Sequence, residues 1–183
     1  MMHRTATAAA ILAVTTLAAC SGMKPMPMMT YSQAALPAAV QVPAGNKVAL
    51  ETVGVGMITY ECRAKTGAAG HEWVFVGPDA KLNSRMGTQV GKYYGPPATW
   101  ESMDGSKLTA VQVAVAPAGA GAIPLQLVKG NPAMGMGAMQ GVTYIQRVAT
   151  VGGVAPAAAC GMSNMGTKVV VPYQADYIFY KAA

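Results

Sequence analysis

The chain has 183 residues, of which 52% are hydrophobic and only 11% charged, with a formal net charge of +6. That length suits one domain plus a targeting segment. The 13 basic residues are scattered singly, without the basic stripe or aromatic interleaving of a nucleic-acid-binding module, so nucleic acid is excluded as a partner. The 21 glycines and 12 prolines, beside Val-, Thr- and Tyr-rich apolar runs, favour short strands and many turns over helices.

Residues 1–20 read MMHRTATAAAILAVTTLAAC. Arg4 precedes an apolar run from Ala8 to Ala19 that is too short to span a bilayer as a mature helix. Leu17-Ala18-Ala19-Cys20 matches the bacterial lipobox, which makes 1–19 a lipoprotein signal peptide and Cys20 the acylated first residue of the mature chain. The competing reading is an ordinary secretory signal with an incidental cysteine; in both the protein is exported. The lipid would make the membrane a partner, and Ser21 in place of Asp favours the outer membrane. Removal of the leader takes Arg4 with it and lowers the net charge by one. With Cys20 assigned to lipid, Cys62 and Cys160 remain, and an exported pair is most simply one structural disulfide. Closing a loop of about 100 residues is worth up to about 4.7 kcal/mol in the chain-entropy model.

Residues 20–36 contain the stretch SGMKPMPMMTYSQAAL, rich in Pro and Met and without amphipathic period. It is expected to tether the domain to the membrane, reaching about 50 Å at about 3.1 Å per residue if extended. A single β-rich domain is then expected over 37–183. Its apolar or alternating runs are Lys47–Thr52, Val55–Arg63, His71–Val76, Gln89–Tyr94, Thr99–Ser102, Lys107–Val115, Ile123–Val128, Val142–Thr150, Lys168–Val171 and Asp176–Lys181. Met57, Thr59 and Glu61 alternate with Ile58, Tyr60 and Cys62; Val142, Tyr144 and Gln146 alternate with Thr143, Ile145 and Arg147. Period two marks half-buried strands. The sole helical candidate is a turn or so at Pro78–Ser84. The pattern predicts an all-β fold, either an antiparallel, jelly-roll-like sandwich or a partly closed barrel, with few or no helices.

The blocks GVGMITYECRA (54–64), HEWVFVGPDAKL (71–82), ATWESMDGSKL (98–108), VTYIQRVATVGG (142–153) and VPYQADYIFY (171–180) occur in an order that resembles the domain-of-unknown-function family 3455. That family comprises uncharacterised exported bacterial proteins and fungal ones. The resemblance covers about Pro37 to Tyr180 and implies no activity. In the GKYYGP region, where the family pattern often carries His, this chain has Tyr93; Pro96-Pro97 replaces a simpler Gly-Pro.

Catalytic chemistry has few candidates. The histidines are His3, in the leader, and His71, so one mature chain cannot build a two-His metal site. A hydrolytic triad would need His71, yet no G-x-S-x-G elbow presents a serine. Glu101 and Asp104 could flank a glycosidic bond if a turn brought them together. Against this, Asp104-Gly105 is the chemistry of a hairpin loop between a strand ending near Ser102 and one starting near Lys107. The catalytic candidates are therefore Glu101, Asp104 and His71. Methionine clusters could hold Cu(I) through soft thioethers, with Met23, Met26, Met28 and Met29 as ligands. Met134, Met136, Met139, Met162 and Met165 punctuate loops, and no cofactor is called for. Trp73, Tyr93 and Trp100 could stack against a flat ligand, although aromatics on half-buried strands are more often core. Arg147, if it faces inward, needs an acid partner, with Glu61 or Asp176 as candidates. The composite expectation is a lipid-anchored, non-enzymatic envelope domain that binds a ligand or partner. The alternatives are a carbohydrate-active hydrolase using Glu101 and a Met-based Cu(I) binder.

Overall fold

The computed structural model describes residues 31–183. Eight antiparallel strands form one closed barrel, each bonded to its chain neighbours and the last to the first. They are β1 (Asn46–Ala64), β2 (His71–Asn83), β3 (Gln89–Tyr94), β4 (Thr99–Ser102), β5 (Lys107–Ala116), β6 (Leu125–Gly130), β7 (Val142–Gly152) and β8 (Lys168–Ala182). Of the two architectures compatible with the sequence, the chain adopts the barrel, and closes it. Helical structure among the described residues is confined to 3₁₀ turns at Ala38–Val40 and Met162–Asn164.

Several predicted runs fuse. Lys47–Thr52 and Val55–Arg63 are parts of β1, and Lys168–Val171 and Asp176–Lys181 are parts of β8. Gly54 does not break β1 but admits a neighbour: a Cβ there would lie 2.6 Å from the Tyr177 ring. Pro78–Ser84 is not helical; Pro78 to Asn83 continue β2, whose register against β1 shifts between Thr59 and Tyr60. A proline is tolerated beside such an irregularity because the ladder there does not need its missing N–H.

Alternation sends one side chain of each pair inward. The interior cluster includes Leu82, Tyr93, Trp100, Leu108, Ile145, Tyr177 and Phe179. The lower end, which carries the connections 84–88, 103–106 and 131–141, is plugged. The 131–141 connection tucks Met139 into the core, at 1% exposure. Asp104 pins this plug. Its carboxylate accepts the Ala138 N–H at 2.7 Å, the Ser106 N–H at 2.9 Å and the Ser106 hydroxyl. Ser106 Oγ in turn accepts the Met139 N–H at 3.1 Å. Gly137, at φ +149°, must lack a side chain, because a Cβ would meet the Asp104 carboxylate. Gly105, at φ +85°, makes the expected hairpin turn between β4 and β5.

A second apolar cluster lies outside the barrel, where Val40 and Val42 cover Ala116, Leu127, Val148 and Ile178. Gln146 clasps this cover to β7. Its amide donates to the Val40 carbonyl at 2.6 Å and to Gln33 Oε1 at 2.9 Å. Its oxygen accepts from the Tyr180 and Tyr31 hydroxyls at 2.8 and 3.1 Å. Residues 31–36, within the span read as tether, thus belong to the docked segment, and the expected boundary at Pro37 falls inside it. Cys20 and Met23, Met26, Met28 and Met29 lie outside the described residues.

The expected disulfide joins Cys62 and Cys160. It straps the 153–167 connection to the end of β1, and Trp73 Nε1 adds a hydrogen bond to the Ala158 carbonyl at 2.7 Å.

Candidate functional site in the upper barrel

The upper end, reached by the connections 65–70, 95–98, 117–124 and 153–167, differs from the plugged end. Register fixes which side chains face in. Arg147 lies opposite both Gln126 on β6 and the interior residue Tyr177 on β8, so all three share the inner face. Val115 lies opposite Gln126 and faces in as well. Phe75 lies opposite Tyr60, whose ring it meets edge-on with centroids 6.1 Å apart. Yet Phe75 remains 51% exposed and Val115 47%. These two side chains mark an exposed upper rim, beneath which Ile123 and Gly153 pack against Ile58 and Tyr173.

Arg147 is the cation of this rim. Its Nε and Nη2 donate to the Pro124 carbonyl at 3.2 and 2.9 Å. Neither proposed acid partner reaches it. Glu61 pairs with Arg63 at 2.8 Å, and Asp176 pairs with Arg85 at 2.6 Å. Both carboxylates project from the outer face of their strands, where inward Arg147 cannot meet them. A carbonyl dipole therefore stands where an ion-pair partner was expected.

Phenols surround the guanidinium. Tyr60 donates to the Gly153 carbonyl at 2.8 Å, and the Tyr173 and Tyr177 hydroxyls lie 3.2 Å apart. Burial raises the pKa of Tyr60, Tyr93, Tyr173 and Tyr177, while the Arg147 charge lowers it in each case. Burial wins, and the phenols stay neutral hydrogen-bonding groups at physiological pH. Below them Tyr93 stacks on Trp100 at 4.5 Å between centroids, and both rings pack against Tyr177. Trp100 is 2% exposed, and its Nε1–H is the one fully buried side-chain nitrogen or oxygen among the described residues without a hydrogen-bond partner. Such an orphan donor costs about 1–3 kcal/mol. Three of the four residues read as ligand contacts, Tyr93, Trp100 and Arg147, thus face one interior; Trp73 instead holds the strap at the rim.

The catalytic candidates do not converge. Glu101 sits on the outer wall, accepting from Tyr94 Oη at 2.7 Å and pairing with Lys92 Nζ at 3.2 Å. The Tyr94 hydrogen bond first, and Lys92 second, lower its pKa. A general acid would need the opposite shift. Asp104 is in the lower turn and His71 begins β2 at the upper end. Among the described residues no three of His, Cys, Asp or Glu group as a metal site. Met134, Met136, Met162 and Met165 are exposed on loops, whereas Met139 is core.

Residues that the sequence did not single out, Tyr60, Tyr173, Tyr177, Gln112 and Gln126, complete the inner face. Their signal was phase: Tyr173, Ala175, Tyr177 and Phe179 keep period two through β8. Gln126 Nε2 donates to Gln112 Oε1 at 2.7 Å.

Fold and site together define a closed up-and-down β-barrel, plugged below by Met139 and carrying Arg147 with exposed apolar side chains at its upper rim. Eight strands give an interior that side chains can fill or that can hold one small ligand. The chain belongs to the family described as protein of unknown function (DUF3455), whose profile matches residues 43–181. No curated protein and no solved structure matches it.

Proposed function

We propose that this protein is a non-enzymatic, lipid-anchored envelope barrel that binds a small ligand in the upper half of its lumen. The observation that carries the reading is Arg147, a cation at the upper rim of the barrel without a carboxylate partner, set among neutral phenols. A half-exposed guanidinium at the rim, with only a carbonyl as partner, keeps donors available for an acceptor on a ligand. The scattered, mutually remote carboxylates favour binding over hydrolysis. The lipobox at Leu17–Cys20 supports anchoring through Cys20, which intact-mass analysis of the membrane-extracted chain tests directly. Ligand binding is tested by following the two tryptophan indole N–H resonances against a panel of small charged and neutral aromatic compounds. Hits that move Trp100 and the inner-face residues support the reading. Shifts confined to the outer wall, or none across the panel, overturn it.

A further inference from the structure

The chain has seven carboxylates, and the fold turns every one of them away from the lumen. Glu51 and Asp176 hold Arg85, and Glu61 holds Arg63. Glu72 lies opposite Arg63 on that same outer face. Glu101 is held by Lys92 and Tyr94. Asp79 lies opposite Met57 and Tyr94 on the outer wall. Asp104 belongs to the lower plug. The upper interior therefore holds the Arg147 guanidinium and no carboxylate.

Arg147 and Trp100 supply its uncommitted donors. Guanidinium and indole can only donate. The two bonds to Pro124 engage Nε and Nη2 of Arg147 and leave the Nη1 edge uninvolved. Trp100 Nε1–H lacks any acceptor. A ligand that complements this interior must bring acceptors and negative charge. Above these donors stands an apolar rim, with the exposed Phe75 ring and Val115 on the inner face.

We propose that the upper barrel binds a small organic carboxylate with a flat apolar body, the carboxylate on Arg147 and the body against the aromatic rim. The inference rests on the ligand-binding reading above and adds the class of ligand. Guanidinium and carboxylate match as a fork to a fork, with two parallel charge-assisted hydrogen bonds. An amide of the same shape lacks the charge and offers the guanidinium fork only one acceptor oxygen.

The test is titration of the full chain with 1-naphthoate and with its neutral isostere 1-naphthamide, read by tryptophan fluorescence and by the Trp100 indole resonance. Naphthoate is expected to bind at least tenfold more tightly. Arg147→Gln abolishes the preference, Arg147→Lys retains part of it, and Arg63→Gln on the outer wall leaves it intact. Should Arg147→Gln fail to fold, the wild-type comparison of the two compounds still decides. Equal binding of both compounds at the Trp100 resonance overturns the carboxylate inference while leaving a ligand-binding barrel. A Trp100 resonance that neither compound moves overturns both.

Discussion

Replacing Gln146 by Ala is the sharpest test of how the docked segment is held. The side chain is wholly buried and makes four hydrogen bonds, two given and two received. Tyr31 and Gln33 are only partly buried and regain water when the amide is lost. The Val40 carbonyl and the Tyr180 hydroxyl belong to residues that are 0% and 4% exposed and have no such recourse. Two stranded buried groups at about 1–3 kcal/mol each predict a loss of about 2–6 kcal/mol. Urea denaturation measures it, and amide exchange at Val40 and Val42 shows whether the segment lifts before the barrel melts. A double-mutant cycle adds a signature of mechanism. Tyr180→Phe costs about 1 kcal/mol in the wild-type chain but is neutral or stabilising beside Gln146→Ala, since it then removes an orphan hydroxyl. A Gln146→Ala loss under about 1 kcal/mol, or strictly additive effects, would refute the clasp.

Three further outcomes follow from the geometry. Hydrogen bonds from the Ser106 hydroxyl, the Ala138 N–H and the Ser106 N–H lower the Asp104 pKa to about 2. The folded value lies below the unfolded one, so its stabilisation is full above about pH 4 and is lost as pH falls through about 2; Asp104→Asn should flatten that part of the melting temperature–pH profile. Gly54→Ala forces the Tyr177 ring to move and should cost about 1–3 kcal/mol by chemical denaturation, with altered near-UV circular dichroism from the displaced aromatic stack. Ala149 sits at φ +48° in the β7 bulge. Ala149→Gly relieves a left-handed conformation worth about 1–2 kcal/mol, partly offset by unfolded-state entropy, and should raise stability by up to about 1 kcal/mol in the same assay.

Strand positions were legible where alternation is local. The β4–β5 hairpin falls where Asp104-Gly105 places it, and Cys62 and Cys160 form the expected pair. Closure was not legible, because a sandwich and a barrel write the same period-two pattern. What separates them is the pairing of Asn46 with Ala182 at opposite ends of the domain. The phase of β7 was equally readable, placing Arg147 with Ile145. Which face was interior could not be read, because both are covered: Ile145 by the lumen, Gln146 by the docked segment. Gln146 reads as an outward polar residue until residues 31–42 are laid over it. Arg147 likewise reads as needing an acid, whereas the fold supplies the Pro124 carbonyl and a ring of phenols.

The β1–β8 seam has a kinetic side. Seven of the eight strand pairings join chain neighbours and can form as hairpins. The eighth must bring together residues more than a hundred positions apart, the slow kind of step in a folding chain. The Cys62–Cys160 bond crosses this same seam, linking the end of β1 to the connection just before β8. In the oxidised chain the route from Glu61 to its partner Lys168 runs through the disulfide rather than through the intervening strands. Oxidation therefore turns the longest search of the fold into a nearly local one, and a chain released from the disulfide would close its barrel last and slowest at this seam.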